Sequence, residues 1–146
     1  MMLHVIKCGS AVSTDHVGKL VFSFSLHATH VVTDIENVQF VPGGISPEDA
    51  ICMPAVETAL SMVHDANPRV GENIAVYGQG LIGLLVTTIL VLQNQISFGI
   101  TTVFYAISDR LAAGARLGAS QTFLNGGSEG PFDVSIEVSG NQRALQ

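Results

Sequence analysis

Between Glu72 and Asp109 the chain carries no charged residue, and this run is punctuated by Gly78, Gly80 and Gly83. Two solutions satisfy such a stretch. Residues 74–92 could cross a bilayer, which takes roughly 20 apolar residues. Alternatively the run is a buried strand, a glycine turn and a buried helix, as a parallel sheet covered on both faces requires. Tyr77, Gln79 and the three glycines interrupt the apolar character, and no basic cluster flanks either end as the positive-inside rule favours. The buried strand-turn-helix is therefore the leading expectation, with a single-span membrane protein through residues 74–92 as its rival.

The pattern of the C-terminal half supports the leading expectation. Ile74–Tyr77 reads as a strand, Leu81–Leu92 as an apolar helix, Thr101–Ile107 as a second strand and Asp109–Leu117 as a second helix. Thr122–Leu124 is a short third strand, residues 125–131 a Gly-rich loop, and Val134–Val138 a fourth strand. This alternation predicts right-handed crossovers and a doubly wound parallel sheet. Upstream, Leu20-Val21-Phe22, Val31-Val32 and Val38–Val41 read as short strands, the last ended by Pro42-Gly43-Gly44. The first eighteen residues have no period and are expected to be poorly ordered. Ser46 as cap, Pro47 at the first helical position and the acids Glu48 and Asp49 predict a helix start. Ile51, Ala55, Ala59, Met62 and Val63 then recur at three- and four-residue spacing, carrying one helix to about His64, and Asn67-Pro68 and Gly71 stop it.

Composition bounds the function. A chain of 146 residues, 47% apolar and 12% charged, has room for one domain with a real core and is not a disordered tail. The net charge is −6 and the six basic residues are scattered, which argues against a nucleic-acid-binding face. Cys8 and Cys52 form no C-x-x-C, and the N-terminus shows no secretory pattern, so a cytoplasmic location is expected.

Gly78-Gln79-Gly80-Leu81-Ile82-Gly83 is a G-x-G-x-x-G placed after a predicted strand and before a predicted helix. In a dinucleotide site the first glycine makes the tight turn, the second admits the pyrophosphate to the backbone, and the third lets helix and strand pack closely. The free N–H groups of the helix start then hold the phosphates. The companion feature is an acid at the end of the second strand, which grips the ribose. Here that end reads Phe104-Tyr105-Ala106-Ile107-Ser108-Asp109-Arg110, and the acid comes late. Either Asp109 or Ser108 caps the next helix, or Ser108 and Arg110 meet a 2′-phosphate, which would favour NADP over NAD. Both readings stay open.

Taken in order, the motifs resemble the medium-chain dehydrogenase/reductase superfamily, the zinc alcohol dehydrogenase-like group. The resemblance runs from Val17-Gly18-Lys19-Leu20-Val21-Phe22 through Val41-Pro42-Gly43-Gly44-Ile45-Ser46-Pro47-Glu48-Asp49-Ala50 and Glu57-Thr58-Ala59-Leu60. It continues with Gly71-Glu72-Asn73-Ile74-Ala75-Val76-Tyr77 and the glycine turn, then Asp109-Arg110-Leu111, Leu117-Gly118-Ala119, and Asp133 to Gly140. It implies an α/β fold: a partial Rossmann-type doubly wound parallel sheet preceded by a β-rich remnant of a GroES-like catalytic lobe. The implied divisions are residues 1–45 for the remnant, 46–70 for a bridging helix and 71–146 for an incomplete Rossmann domain.

The function implied is NAD(P)-dependent hydride transfer between an alcohol and a carbonyl compound, in a fragment or truncated form. A non-catalytic, partner-dependent dinucleotide binder is the alternative. Gly78 to Gly83 would hold the pyrophosphate, with Tyr105, which stands at the family's ribose-acid position, Ser108, Asp109 and Arg110 around the adenosine ribose. Ser139 and Gly140 would border the nicotinamide. A second copy or a partner covering an open sheet edge is also implied. Zinc is not expected, because Cys52 stands one residue early for the family's ligand position and the other ligands have no counterpart.

The remaining polar groups assemble no second chemistry. His27 and His30 would point to opposite faces of a strand. Cys52 and Glu57 would lie about 140° apart around a helix. Glu137, in an otherwise apolar strand, reads as a structural carboxylate, and no catalytic residue is assigned.

Overall fold

A computed structural model describes residues 1–94, 100–124 and 131–141. It divides into two compact units, Met1–Pro54 and Ala55–Gln146.

The first unit holds a three-stranded antiparallel sheet in which β2 (Leu20–Phe22) lies between β1 (Met2–His4) and β3 (Gln39–Phe40). Leu3 pairs with Val21, and Val21 with Phe40. The N-terminal segment is therefore part of the sheet, contrary to expectation. The terminal ammonium donates to the Ser23 carbonyl at 2.6 Å, and Val5 and Lys19 continue the pairing at 3.0 Å. A three-residue strand is too short to show a period, and its partner lies far along the chain. Val31-Val32, in contrast, belongs to no strand, and Val32 is fully exposed. Branched side chains favour a strand only where a neighbour supplies hydrogen bonds and packing.

The predicted single helix is two. Ser46 caps α1 (Pro47–Ala50): its hydroxyl accepts from the Asp49 N–H at 3.1 Å and donates to the Asp49 carboxylate at 2.8 Å. α2 runs over Met53–Ala66, two residues beyond the expected end. Pro54 separates them. It has no N–H for the Ala50 carbonyl, and its ring crowds that oxygen. The turn tightens instead, with Cys52 N–H donating to the Asp49 carbonyl at 3.1 Å.

The second unit is built on a four-stranded parallel sheet, from β4 (Asn73–Tyr77), β5 (Ile100–Tyr105), β6 (Gln121–Leu124) and β7 (Val134–Glu137), in the order β6-β5-β4-β7. Helices α3 (Leu81–Asn94) and α4 (Ser108–Arg116) make the crossovers. Every strand and helix expected after Gly71 is present, each within two residues of its predicted ends. The core joins Ala59 and Val63 of α2, Ile74 and Val76 of β4, Val86 and Leu90 of α3, Leu111 of α4 and Ile136 of β7. On α3 the buried positions Gly83, Val86, Thr87 and Leu90 follow helical spacing, so one stripe faces the sheet.

Residues 74–92 do not form one helix. Ile74 to Tyr77 is laddered to β5 on one side and β7 on the other, and the helix that follows, α3, has fourteen residues. Such a helix is about 21 Å long, against roughly 30 Å of hydrocarbon. Among the described residues no helix is long and apolar enough to cross a membrane. The Gly-rich loop lies, apart from Pro131, outside the described residues.

Candidate functional site

Strand order places the two site segments together. From β4 the chain winds outward through β5 and β6, and β7 then returns to the other side of β4. The carboxyl ends of β4 and β7 are thus neighbours at the point where winding reverses, where open α/β sheets bind ligands. The Val138 N–H donates to the Tyr77 carbonyl at 2.8 Å, carrying the pairing past the last strand residues. At the opposite end Asn73 and Asp133 exchange two bonds. The Asp133 carboxylate accepts from the Asn73 N–H at 2.8 Å, and the Asp133 N–H donates to the Asn73 carbonyl at 2.9 Å.

Two glycines are required by contact. Gly78 has φ +110°, and a Cβ there would stand 2.6 Å from Ser139 N and 2.7 Å from Ser139 Cα. At Gly83 a Cβ would overlap the Gly78 carbonyl oxygen and lie 3.1 Å from Val138 Cγ2. Gly80 differs. A Cβ there would meet only Arg110 Nη1, at 4.0 Å, so the space above it is open.

The side chains between the glycines take different directions. Gln79 is fully buried, and its Nε2 donates to the Gly78 carbonyl at 2.9 Å and to Thr87 Oγ1 at 3.0 Å. Its side chain therefore faces the interior, leaving only its backbone at the site. Leu81 is exposed and Ile82 packs partly against the core. Thr87 belongs to no motif; its one signal in sequence is a hydroxyl on the buried stripe of an otherwise apolar helix.

Tyr105 lies one residue beyond the Tyr77–Phe104 pair, at the end of β5, and is partly buried against the core. Ser108, Asp109 and Arg110 form the exposed first turn of α4. Neither Ser108 nor Asp109 caps this helix. Ile107 occupies the cap position, and its side chain makes no capping hydrogen bond. Arg110 reaches back to the glycine turn, with Nη1 donating to the Gln79 carbonyl at 3.4 Å. On the other side, Glu137 Oε1 accepts from the Ser139 N–H at 2.6 Å and from the Ser139 hydroxyl. Ser139 Oγ in turn accepts from the Asn141 N–H at 3.0 Å, and Gly140 has φ +66°. The structure thus brings Gly78, Gly83 and Ser139 into contact and links Gln79 to Arg110.

Among the described residues the other candidate groups stand apart. His27 and His30 are exposed and lie outside any strand, and the Cys52 thiol donates to the Glu48 carbonyl at 3.8 Å. Among the described residues no group of three or more His, Cys, Asp or Glu is placed to hold a metal. A separate hollow of about 430 Å³ in the first unit, lined by Phe22, Phe24, Ser23, Ser25, Glu36 and Asn37 among others, contains none of the expected site residues.

The fold, a parallel sheet in this order with a glycine turn abutting the end of β7, is that of the zinc-binding and medium-chain alcohol dehydrogenases. Proteins of similar fold include dehydrogenases solved with NADH or NADP bound. D-guloside 3-dehydrogenase of Escherichia coli (strain K12) is 37% identical over 82 residues, 54% of this chain and 23% of that protein. The match thus spans about a quarter of the curated relative's length. The fold of 2R,3R-butanediol dehydrogenase from Bacillus subtilis superposes with a TM-score of 0.73 at 21% identity, covering 99% of this chain and 51% of that one. A protein named as a zinc-binding dehydrogenase from Sinorhizobium meliloti 1021, solved bound to NADP, gives 0.70 at 18% identity, covering 99% and 54%. No protein-family model matches the chain.

Proposed function

We propose that this chain binds a nicotinamide dinucleotide at the turn between β4 and α3, as the cofactor-holding part of an oxidoreductase acting on alcohols or carbonyl compounds. The observation that carries the proposal is the contrast among the three glycines. Gly78 and Gly83 are filled by neighbouring backbone, while Gly80 stands beneath open space at the start of a helix. A Cβ-free position next to the uncommitted N–H groups of a helix start suits a diphosphate.

Within this reading Gly78, Gly80, Leu81, Ile82 and Gly83 present backbone to the pyrophosphate, and Gln79 contributes its N–H. Arg110 adds positive charge beside the turn. Tyr105, Ser108 and Asp109 border the adenosine ribose, and Ser139 and Gly140 the nicotinamide. The bound nicotinamide supplies hydride exchange; the chain's own residues bind and orient it. Tyr105 stands in place of an acid at the end of β5 and Arg110 lies beside Asp109, so NADP is accepted as well as NAD. Residues 1–45, 46–70 and 71–146 serve as catalytic-lobe remnant, bridge and cofactor domain.

Calorimetric titration of the purified chain with NADH, NADPH and ADP tests the proposal. Saturable binding of all three is expected, and no heat from any of them at millimolar ligand would refute it. An assay of alcohol oxidation with the same preparation reads turnover separately.

A further inference from the structure

Burying an amide and a hydroxyl beside a backbone turn is costly unless their hydrogen bonds accomplish something. Gln79 and Thr87, each fully buried, form such a pair between the glycine turn and the middle of α3. One Gln79 N–H goes to the Gly78 carbonyl (2.9 Å) and the other to Thr87 Oγ1 (3.0 Å), while the Thr87 hydroxyl donates to Gln79 Oε1 at 3.3 Å. No buried side-chain nitrogen or oxygen among the described residues lacks a partner.

The geometry has a consequence for the backbone. A trans peptide holds its C=O and N–H in one plane, pointing opposite ways. Anchoring the Gly78 oxygen inward, against Gly83 and under the Gln79 amide, therefore turns the Gln79 N–H outward. In the next plane the Gln79 carbonyl accepts from Arg110 Nη1 at 3.4 Å. Gly78, at φ +110° with no Cβ, resists peptide rotation less than other residues do.

We infer that Gln79 and Thr87 are positioning residues: their buried pair locks the Gly78–Gln79 peptide so that its N–H faces the phosphate side of the turn. The inference rests on the dinucleotide reading and deepens it. Gln79 never touches the ligand with its side chain; it acts through the carbonyl of its neighbour.

A purely structural role and a positioning role separate under substitution. Replacing Gln79 and Thr87 together by apolar groups of similar shape is close to neutral for the pair itself, but the buried Gly78 carbonyl loses its donor, so Gln79→Met with Thr87→Val stays folded and melts a few degrees lower. Losing one oriented N–H to a diphosphate weakens ADP and NADH binding about tenfold, as expected for a hydrogen bond to a charged group. Thr87→Ser retains the hydroxyl and binds as the parent chain does. A folded double variant that binds ADP as well as the parent overturns the inference and leaves the dinucleotide reading standing. Failure of the parent chain to bind ADP removes both. Amide hydrogen exchange on the unmodified chain gives a second test that needs no variant. Slower exchange of the Gln79 N–H on adding ADP is the expected result, and an unchanged rate overturns the inference.

Discussion

Gly83→Ala and Gly80→Ala differ by three positions in one turn and separate packing from binding. At Gly83 the new methyl overlaps the Gly78 carbonyl oxygen, stands 2.8 Å from the Gly78 carbonyl carbon and lies 3.1 Å from Val138 Cγ2. Two of these three atoms are backbone, and the Gly78 oxygen is held by the Gln79 amide, so no side-chain rotation relieves the clash. Either α3 moves away from the sheet or the turn deforms. Overpacking of this kind costs about 3 kcal/mol, a large share of the total stability of a domain this size. At about 2–4 °C per kcal/mol, the melting temperature falls by roughly 6–12 °C. At Gly80 the methyl meets only Arg110 Nη1, at 4.0 Å, and the backbone there has no positive φ. Gly80→Ala is expected to melt within about 2 °C of the parent, as surface substitutions do, while its methyl enters the space assigned to the pyrophosphate and weakens ADP binding at least about tenfold. Thermal unfolding by circular dichroism and calorimetric titration of both variants measure the contrast. Gly83→Ala melting within about 2 °C of the parent would refute the packing argument. Gly80→Ala binding ADP undiminished would refute the placement of the diphosphate.

Tyr105→Asp restores an acid at the end of β5. Its charge repels a 2′-phosphate and accepts from ribose hydroxyls, so the NADPH-to-NADH affinity ratio falls by about tenfold or more; an unchanged ratio in paired titrations excludes Tyr105 from the ribose. Asp133→Ala removes the carboxylate that accepts from the Asn73 N–H at 2.8 Å. Water replaces that bond at an exposed site, so the cost is about 1 kcal/mol, or roughly 2–4 °C in melting temperature; no measurable change means that β4 and β7 are held without it. Ser46→Ala deletes the cap of α1 and costs about 1 kcal/mol; the check is the same melt, and a parent-like midpoint shows that α1 does not depend on its cap.

The parts of the fold that are legible in sequence are those whose determinants are local. The uncharged run with its three glycines specifies strand, turn and helix within twenty residues, and burial of one stripe of α3 follows from its own spacing. Pro54 is equally local, yet the apolar period running through it conceals the break between α1 and α2. β1 is not legible because its three residues acquire meaning only when paired with β2. At α4, Ile107, Ser108 and Asp109 all stand where a helix could start, and side-chain capping preference points to the two residues that do not cap.

The candidate site is half legible for the same reason. G-x-G-x-x-G describes the end of β4, but the wall that makes Gly78 obligatory comes from Ser139, sixty-one positions later, and is visible only when β7 is seated beside β4. The variable positions within the motif carry no instruction in sequence, so Gln79 reads there as one more residue facing the ligand. Its side chain faces inward: an amide with both N–H groups committed inside the protein has none to offer outside. A residue inside a binding motif can therefore act by orienting the peptide before it. Arg110, thirty-one positions from Gln79, joins the same turn from the next helix, so the carbonyls of Gly78 and Gln79 each accept from a side chain. What the motif leaves unspecified, the buried pair and the arginine supply.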